Sequence, residues 1–277
     1  MIGFLGEVLR QKGGRTGFVL VLLILALALL GPLVAPDPNK IDVLARFQGP
    51  SLTHLMGTDN LGRDLFARVA TGTRTALFTA VIVVGLALMA GLFLGMLAGY
   101  LGGAVQAVIV MGFDIVSSFP IYILIFAVIA LYGAGLDRLI LIMALVFTPQ
   151  FGRMARAQML ALRQRSFIEV EVLMGLATFK ILRRHVLPNV IGPLIVVAGM
   201  TIPAAISVEA AISFLGMGVQ PPSATLGTLI HDGYVYLDKS WWPTIGSALV
   251  LCVMTLGSTL LAEAARDAFD PKQRGSA

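Results

Sequence analysis

Charge is scarce in this 277-residue chain. Only 13% of its residues are Asp, Glu, Lys or Arg, against about 25% in a soluble domain, too little to coat a water-facing globule. Cysteine is scarcer still. Cys252 stands alone in an apolar run, so no intramolecular disulfide can form, and it belongs to a core or lipid-facing position. The three histidines, His54, His185 and His231, are far apart and lack metal-ligand spacing. There is no Ser/His/Asp arrangement and no glycine-rich loop followed by Lys-Ser or Lys-Thr. These gaps argue against an enzyme and against nucleotide hydrolysis by this chain. What is abundant is apolar surface: 57% of residues are hydrophobic and the mean hydropathy is +0.90. The composition is that of an all-α integral membrane protein. The net charge of +5 and pI of about 9.7 come from basic residues flanking apolar spans. Topological charge bias explains them more simply than nucleic-acid binding.

Six membrane helices are expected. Residues 17–35 are uncharged and follow a short segment carrying Arg10, Lys12 and Arg15. The run exceeds the roughly 7–15 apolar residues of a signal peptide, and Leu33-Val34-Ala35 is a weak cleavage site, so the helix is retained. Residues 36–74 are polar and punctuated by Pro and Gly, a loop on the far side. Thr75 to Phe113 is uncharged but too long for one helix. Broken at Gly99-Tyr-Leu-Gly-Gly103, it gives helices over 76–98 and 106–131. Gly91, Gly95 and Gly99 have the small-xxx-small spacing that lets helices approach closely in lipid, with packing inside the subunit as the expected use. The third helix carries Pro120 and Asp114, a carboxylate costly at that depth and expected to serve a helix contact. The fourth, over 137–154, contains Pro149, with Arg138 and Arg153 reaching the two interfaces. The fifth, 186–208, is uncharged and about 34 Å long, enough for a hydrocarbon core of about 30 Å, and Glu209 closes it. Residues 210–239 hold too many Gly and Pro for a simple span. Trp241 and Trp242 suit the outer interface, and the sixth helix covers 243–263.

Six crossings place both termini on one side. Counting Lys and Arg, that side holds three in residues 1–16, seven around the loop after the fourth helix and three in the tail, thirteen in all, against seven on the other. The bias makes both termini cytoplasmic. The chain divides into residues 1–72 (cytoplasmic tail, first helix, extracytoplasmic loop), 73–263 (five helices with a cytoplasmic loop at 153–189) and 264–277 (cytoplasmic tail).

The cytoplasmic loop is the one long polar interruption in the second half. Arg153, Arg156, Arg163, Arg165, Lys180, Arg183 and Arg184 surround it, against Glu169 and Glu171. Ile168, Val172, Leu176 and Phe179 recur on one face of a short helix. Gly175 interrupts that helix and admits another backbone. Thr178 suits the cap of a second short helix, expected to stop near Leu187 because Pro188 follows. The exposed apolar edge asks for a partner.

Glu169, Gly175 six positions on, and the Leu187-Pro188 pair resemble the cytoplasmic coupling loop of ABC-importer permeases. That family usually has Glu-Ala-Ala where this chain has Glu169-Val170-Glu171. A second string, Gly57-Thr58-Asp59-Asn60-Leu61-Gly62-Arg63-Asp64, is similar to a segment of the dipeptide/oligopeptide/nickel permeases, C-type subunit. The residues alone read as an ordered loop, since Asp59, Asn60 and Gly62 are turn formers. A third string is the most specific: Glu209, Ser213, Phe214, Leu215, Gly216, Gly218, Gln220, Pro221 and Pro222 match the same permeases almost letter for letter. The resemblance runs from about Gly57 to Pro271.

The resemblance implies a type I ABC-importer permease fold in the plasma (inner) membrane of a prokaryote. It implies a homologous second permease, two separate ATPase subunits that bind ATP and Mg, and an extracytoplasmic substrate-binding protein. No cofactor is expected on this chain. Ile168, Glu169, Val172, Gly175, Leu176, Phe179, Leu187 and Pro188 would couple to the ATPase. The path would lie between the two permeases and carry dipeptides or oligopeptides. A nickel-complex or glutathione importer is the alternative. An ion-coupled secondary transporter ranks lower, because only Asp114 and Glu209 offer intramembrane ionisable groups.

Overall fold

The computed structural model describes residues 2–165, 174, 180 and 182–269. Nine α-helices are described: α1 (Ile2–Arg10), α2 (Lys12–Val34), α3 (Leu65–Leu101), α4 (Gly103–Ser118), α5 (Ile121–Tyr132), α6 (Leu136–Arg163), α7 (Leu187–Phe214), α8 (Leu226–Val235) and α9 (Trp242–Phe269). α2, α3, α6, α7 and α9 are each long and apolar enough to cross a membrane.

The expected third helix is two, α4 and α5, bent by 92° at a break of a few residues. Phe119 adopts an extended backbone at the break, as a residue before proline prefers, and Pro120 cannot donate to the helix ladder. The pair still makes one crossing, because α3 and α6 run parallel. Gly91 faces Thr148 and Phe151, Gly95 faces Gly152 and Ala155, and Gly99 faces Arg156 and Met159. Between two parallel spans the chain must return once.

The glycine stripe brings α3 and α6 into close contact. A β-carbon on Gly91 would lie 2.5 Å from Phe151 Cβ and 2.8 Å from Thr148 O, and one on Gly99 would lie 2.8 Å from Met159 Cβ. Lipid tails are as apolar as side chains, so close packing rather than water exclusion holds such helices together. The stripe serves contact within the subunit, as expected. On the other flank α2 lies against α9: a β-carbon on Gly17 would sit 2.5 Å from Leu261 N, and one on Gly257 would sit 2.7 Å from Leu20 Cβ. At its far end α2 touches α3, with Gly31 against Ala70. Ile24, Val69, Val83, Ile125, Met143, Phe151, Leu194, Ile206 and Met254 join in one core.

Helix ends differ from the sequence reading. α3 begins at Leu65, so Arg68 and Arg74 are helical rather than in a loop. α6 runs nine residues past the expected 154, to Arg163, so Arg153 lies within the helix, not at its end. α7 continues through Glu209 to Phe214. That carboxylate is fully buried and accepts a hydrogen bond from Ser213 Oγ at 2.7 Å one turn later, so it does not close the helix. α9 extends to Phe269 and takes in Arg266. Hydropathy marks where a helix leaves the hydrocarbon, not where its hydrogen bonds stop. Trp241 and Trp242 stack 4.2 Å apart at the start of α9, and Cys252 is exposed on it.

Candidate functional site: outer cap, interhelical ion pair and the segment before α7

The loop before α3 folds around paired charges. Gly57 and Gly62 have φ of +77° and +75°, the left-handed region that favours glycine, and a side chain at either would strike a backbone carbonyl, Gln48 O or Asp42 O. Thr58 donates through Oγ1 to Ala45 O and accepts from Gln48 N at 2.9 Å. Asp59 Oδ1 accepts from Leu61 N at 2.8 Å and Arg63 N at 3.0 Å. Its Oδ2 meets Arg63 Nε at 2.7 Å and Arg68 Nε at 3.5 Å. Asp64 caps α3 by accepting from Ala67 N at 2.8 Å, satisfying an N-terminal amide, and its other oxygen holds His54 Nδ1 at 2.8 Å. Thr58, Asp59, Arg63, Asp64 and Arg68 are all buried. This segment is a structural cap on α3.

The third signature string meets it at the same end. After Glu209 and Ser213, the chain turns at Gly216 (φ +76°). Gly218 packs on Ser213, and Gly227 packs on Ala210 O and Ser213 Cβ. Phe214 presents its ring edge-on to His231, with centroids 5.6 Å apart. Gln220 Nε2 donates to Gly216 O at 3.2 Å. Leu215, Gln220, Pro221 and Pro222 are exposed. α8 then starts on a capping box: Thr225 N donates to Thr228 Oγ1 at 2.9 Å and Thr228 N to Thr225 Oγ1 at 3.3 Å. Gly72 of α3 lies against Thr225 and Leu226, where a β-carbon would stand 3.1 Å from backbone. The two strings therefore share one outer cap, joined through α3 and α8. A narrow crevice between them is lined by Phe47, Asp59, Asn60, Leu229, Asp232 and Pro243, among others. Burial pushes the Asp232 carboxyl above the ordinary carboxylate range, while Arg68, Arg63 and His231 pull it back. No spacing in the sequence singles out Asp232, because its partners come from another helix.

Between α6 and α4, Arg153 Nη2 donates to Asp114 Oδ1 at 3.0 Å, Ser117 Oγ at 2.9 Å and Phe113 O at 3.3 Å. The Phe113 ring fills the space left by Gly152. Asp114 thus serves a helix contact, as expected, and its partner is Arg153 of α6.

Of the residues expected to couple to an ATPase, Ile168, Glu169, Val172, Gly175, Leu176 and Phe179 lie outside the described residues. Leu187 and Pro188 are described, and they correct the reading: they do not end a short helix but begin α7, after a π-helical turn over Leu182–Val186. Proline in a first turn sacrifices no hydrogen bond. Arg163 on the same side donates to Tyr100 O at 3.2 Å.

Residues 91–275 match the model of the binding-protein-dependent transport system inner membrane component. Residues 6–50 match that of the N-terminal transmembrane domain of oligopeptide transport permease C. The chain is 36% identical over 261 residues to a probable D,D-dipeptide transport system permease protein of Escherichia coli, covering 94% of this chain and 88% of that one. It is 34% identical over 266 residues to a glutathione transport system permease protein of Pectobacterium atrosepticum, covering 95% and 88%. In structure it is similar to an inward-facing methionine ABC transporter, with a TM-score of 0.57 and 18% identity over 72% of this chain and 95% of that one. That likeness is one of fold. Length, span number, fold and family model agree, and the chain belongs to the family of binding-protein-dependent transport system inner membrane components, as a multi-pass permease subunit of the inner membrane rather than an enzyme.

Proposed function

We propose that this chain forms, with a homologous second permease, the translocation path of an ATP-driven importer for short peptides. The observation that carries the reading is similarity along nearly the whole chain to permeases named for dipeptide transport, at 36% identity in one case. A glutathione permease at 34% supports the same chemistry, because glutathione is itself a peptide. Substrate arrives on an extracytoplasmic binding protein. Two ATPase subunits, which hold the ATP and Mg, act from the cytoplasm. Residues 73–263 carry the transmembrane unit, residues 1–72 add the first helix and outer loop, and residues 264–277 form the tail. The excess of Lys and Arg around residues 1–16 and 153–184 favours a cytoplasmic placement of both.

The coupling element is the segment around Glu169, Gly175 and the apolar face of Ile168, Val172, Leu176 and Phe179, leading into Leu187 and Pro188. α7 supports the assignment, since a helix that starts at Leu187 makes a rigid lever from that segment into the membrane. Burial of the apolar face by an ATPase contributes about 25 cal/mol per Å². Nucleotide-dependent contacts there shift the permease pair between two rigid-body states. Gly175→Arg is expected to leave the helices inserted and the second permease bound, while the ATPase subunits are lost on purification or hydrolyse ATP without uptake. Normal ATPase retention together with normal uptake in proteoliposomes rules this segment out.

A further inference from the structure

The crevice in the outer cap is left open by the direct contacts around it. Asp59, Asn60, Leu229 and Asp232 stand on its walls. It offers about 10 Å³ for the centre of a water molecule, close to the roughly 10–15 Å³ that one water requires. Polar atoms around it lack partners. Asn60 Oδ1 is shut off from solvent and accepts no hydrogen bond from a described residue. Asp232 lies in the field of Arg68, Arg63 and His231. Yet the ion pairs formed at this end among the described residues are His54–Asp64, Arg63–Asp59 and Arg68–Asp59, and none includes Asp232. Arg68 is 3% exposed, and its Nη1 has no partner among the described residues. The same holds for Thr244 Oγ1, which lies beside Gly233 on the crevice wall. A buried polar atom left unpaired is costly, and here several gather about one small space.

We propose that the crevice holds one ordered water molecule, which donates to Asn60 Oδ1 and to the Asp232 carboxylate. The mixed character of the surroundings selects water. A metal cation would meet the field of the Arg63 and Arg68 guanidinium groups, and no set of three His, Cys, Asp or Glu side chains among the described residues could hold one. An anion would face Asp59 and Asp232. An apolar group would leave every unpaired atom unpaired. Water gives two hydrogens to the two acceptors and keeps its lone pairs for a donor such as Arg68 Nη1 or Thr244 Oγ1. Such a bridge is nearly as favourable as a direct hydrogen bond. It ties the turn at Asn60, in the loop that caps α3, to Asp232 of α8.

The test is X-ray radiolytic footprinting of the full chain in lipid nanodiscs, read by mass spectrometry. Radiolysis turns a bound water into a hydroxyl radical where it sits. Leu229 is 2% exposed and lines the crevice, so radicals from bulk solvent do not reach it, whereas a water beside it does. The wild-type chain is expected to be oxidised at Leu229. Asn60→Leu keeps the size of the side chain and removes the acceptor, and oxidation of Leu229 is expected to slow by about threefold or more as the water loses a partner. A cryo-EM map fine enough to show ordered waters gives a second reading that needs no variant. It is expected to hold one solvent peak within hydrogen-bond distance of Asn60 Oδ1 and Asp232. An unoxidised Leu229 in the wild type, equal rates in the two chains, or a map without that peak overturns the proposal.

Discussion

Asp59 is 3% exposed and holds two guanidinium groups and two backbone amides at once. Removing one member of a buried charge cluster strands the others, at a cost of about 3 kcal/mol or more. Asp59→Ala should therefore lower the melting temperature of the detergent-purified chain by several degrees, and an unchanged melting curve contradicts the cap. Asp232 behaves in the opposite sense. Burial raises its carboxyl above the ordinary value of 3.8, so the folded chain holds that proton more tightly than the unfolded one. The stability this contributes is complete below the ordinary value and is lost as pH rises through the raised one. Asp232→Asn keeps the neutral state. Its melting temperature should fall less than wild type's between pH 4 and pH 8, and parallel curves refute the assignment. Asp59 is legible as a turn former, but its ion pairs are not: the turn has to close before Arg63 folds back on it, and α3 has to start at Leu65 before Arg68 reaches it.

Among the helices, the glycine stripe of α3 was readable because small-xxx-small spacing survives in one dimension. The break in the third crossing was not. Residues 106–131 look uniformly apolar, and a proline inside such a run reads as a kink until the chain on both sides is placed. Ser213 stands four residues after Glu209, one helical turn away, a spacing that suits a helix continuing past the carboxylate. The capping box at Thr225 was hidden because its other member is Thr228, not Glu or Gln. The stripe yields a sharp contrast. A β-carbon on Gly95 runs into Gly152 O, whereas one on Gly199 of α7 meets open space. Gly95→Leu should push α3 off α6 and abolish the monodisperse peak of the purified chain. Gly199→Ala should melt at or above wild type, since alanine is the better helix former. Equal behaviour of the two variants removes the stripe as the contact that holds α3 to α6.

For the whole molecule, six crossings follow from the parallel run of α3 and α6 and from the shared outer ends of α3, α7, α8 and α9. Composition gave the membrane class, and charge bias gave the sidedness. The partners had to come from resemblance, because an isolated permease carries no nucleotide site in its sequence. The account's central claim is that ATP hydrolysis by partner subunits, and no ion gradient, drives peptide through this chain. The direct measurement is dipeptide uptake into proteoliposomes holding the full importer, with binding protein outside and ATP trapped inside, with and without a protonophore. Uptake that needs both ATP and binding protein and persists with the protonophore is the predicted result. Uptake that proceeds without ATP and collapses with the protonophore contradicts the claim and makes Asp114 and Glu209 candidates for an ion relay.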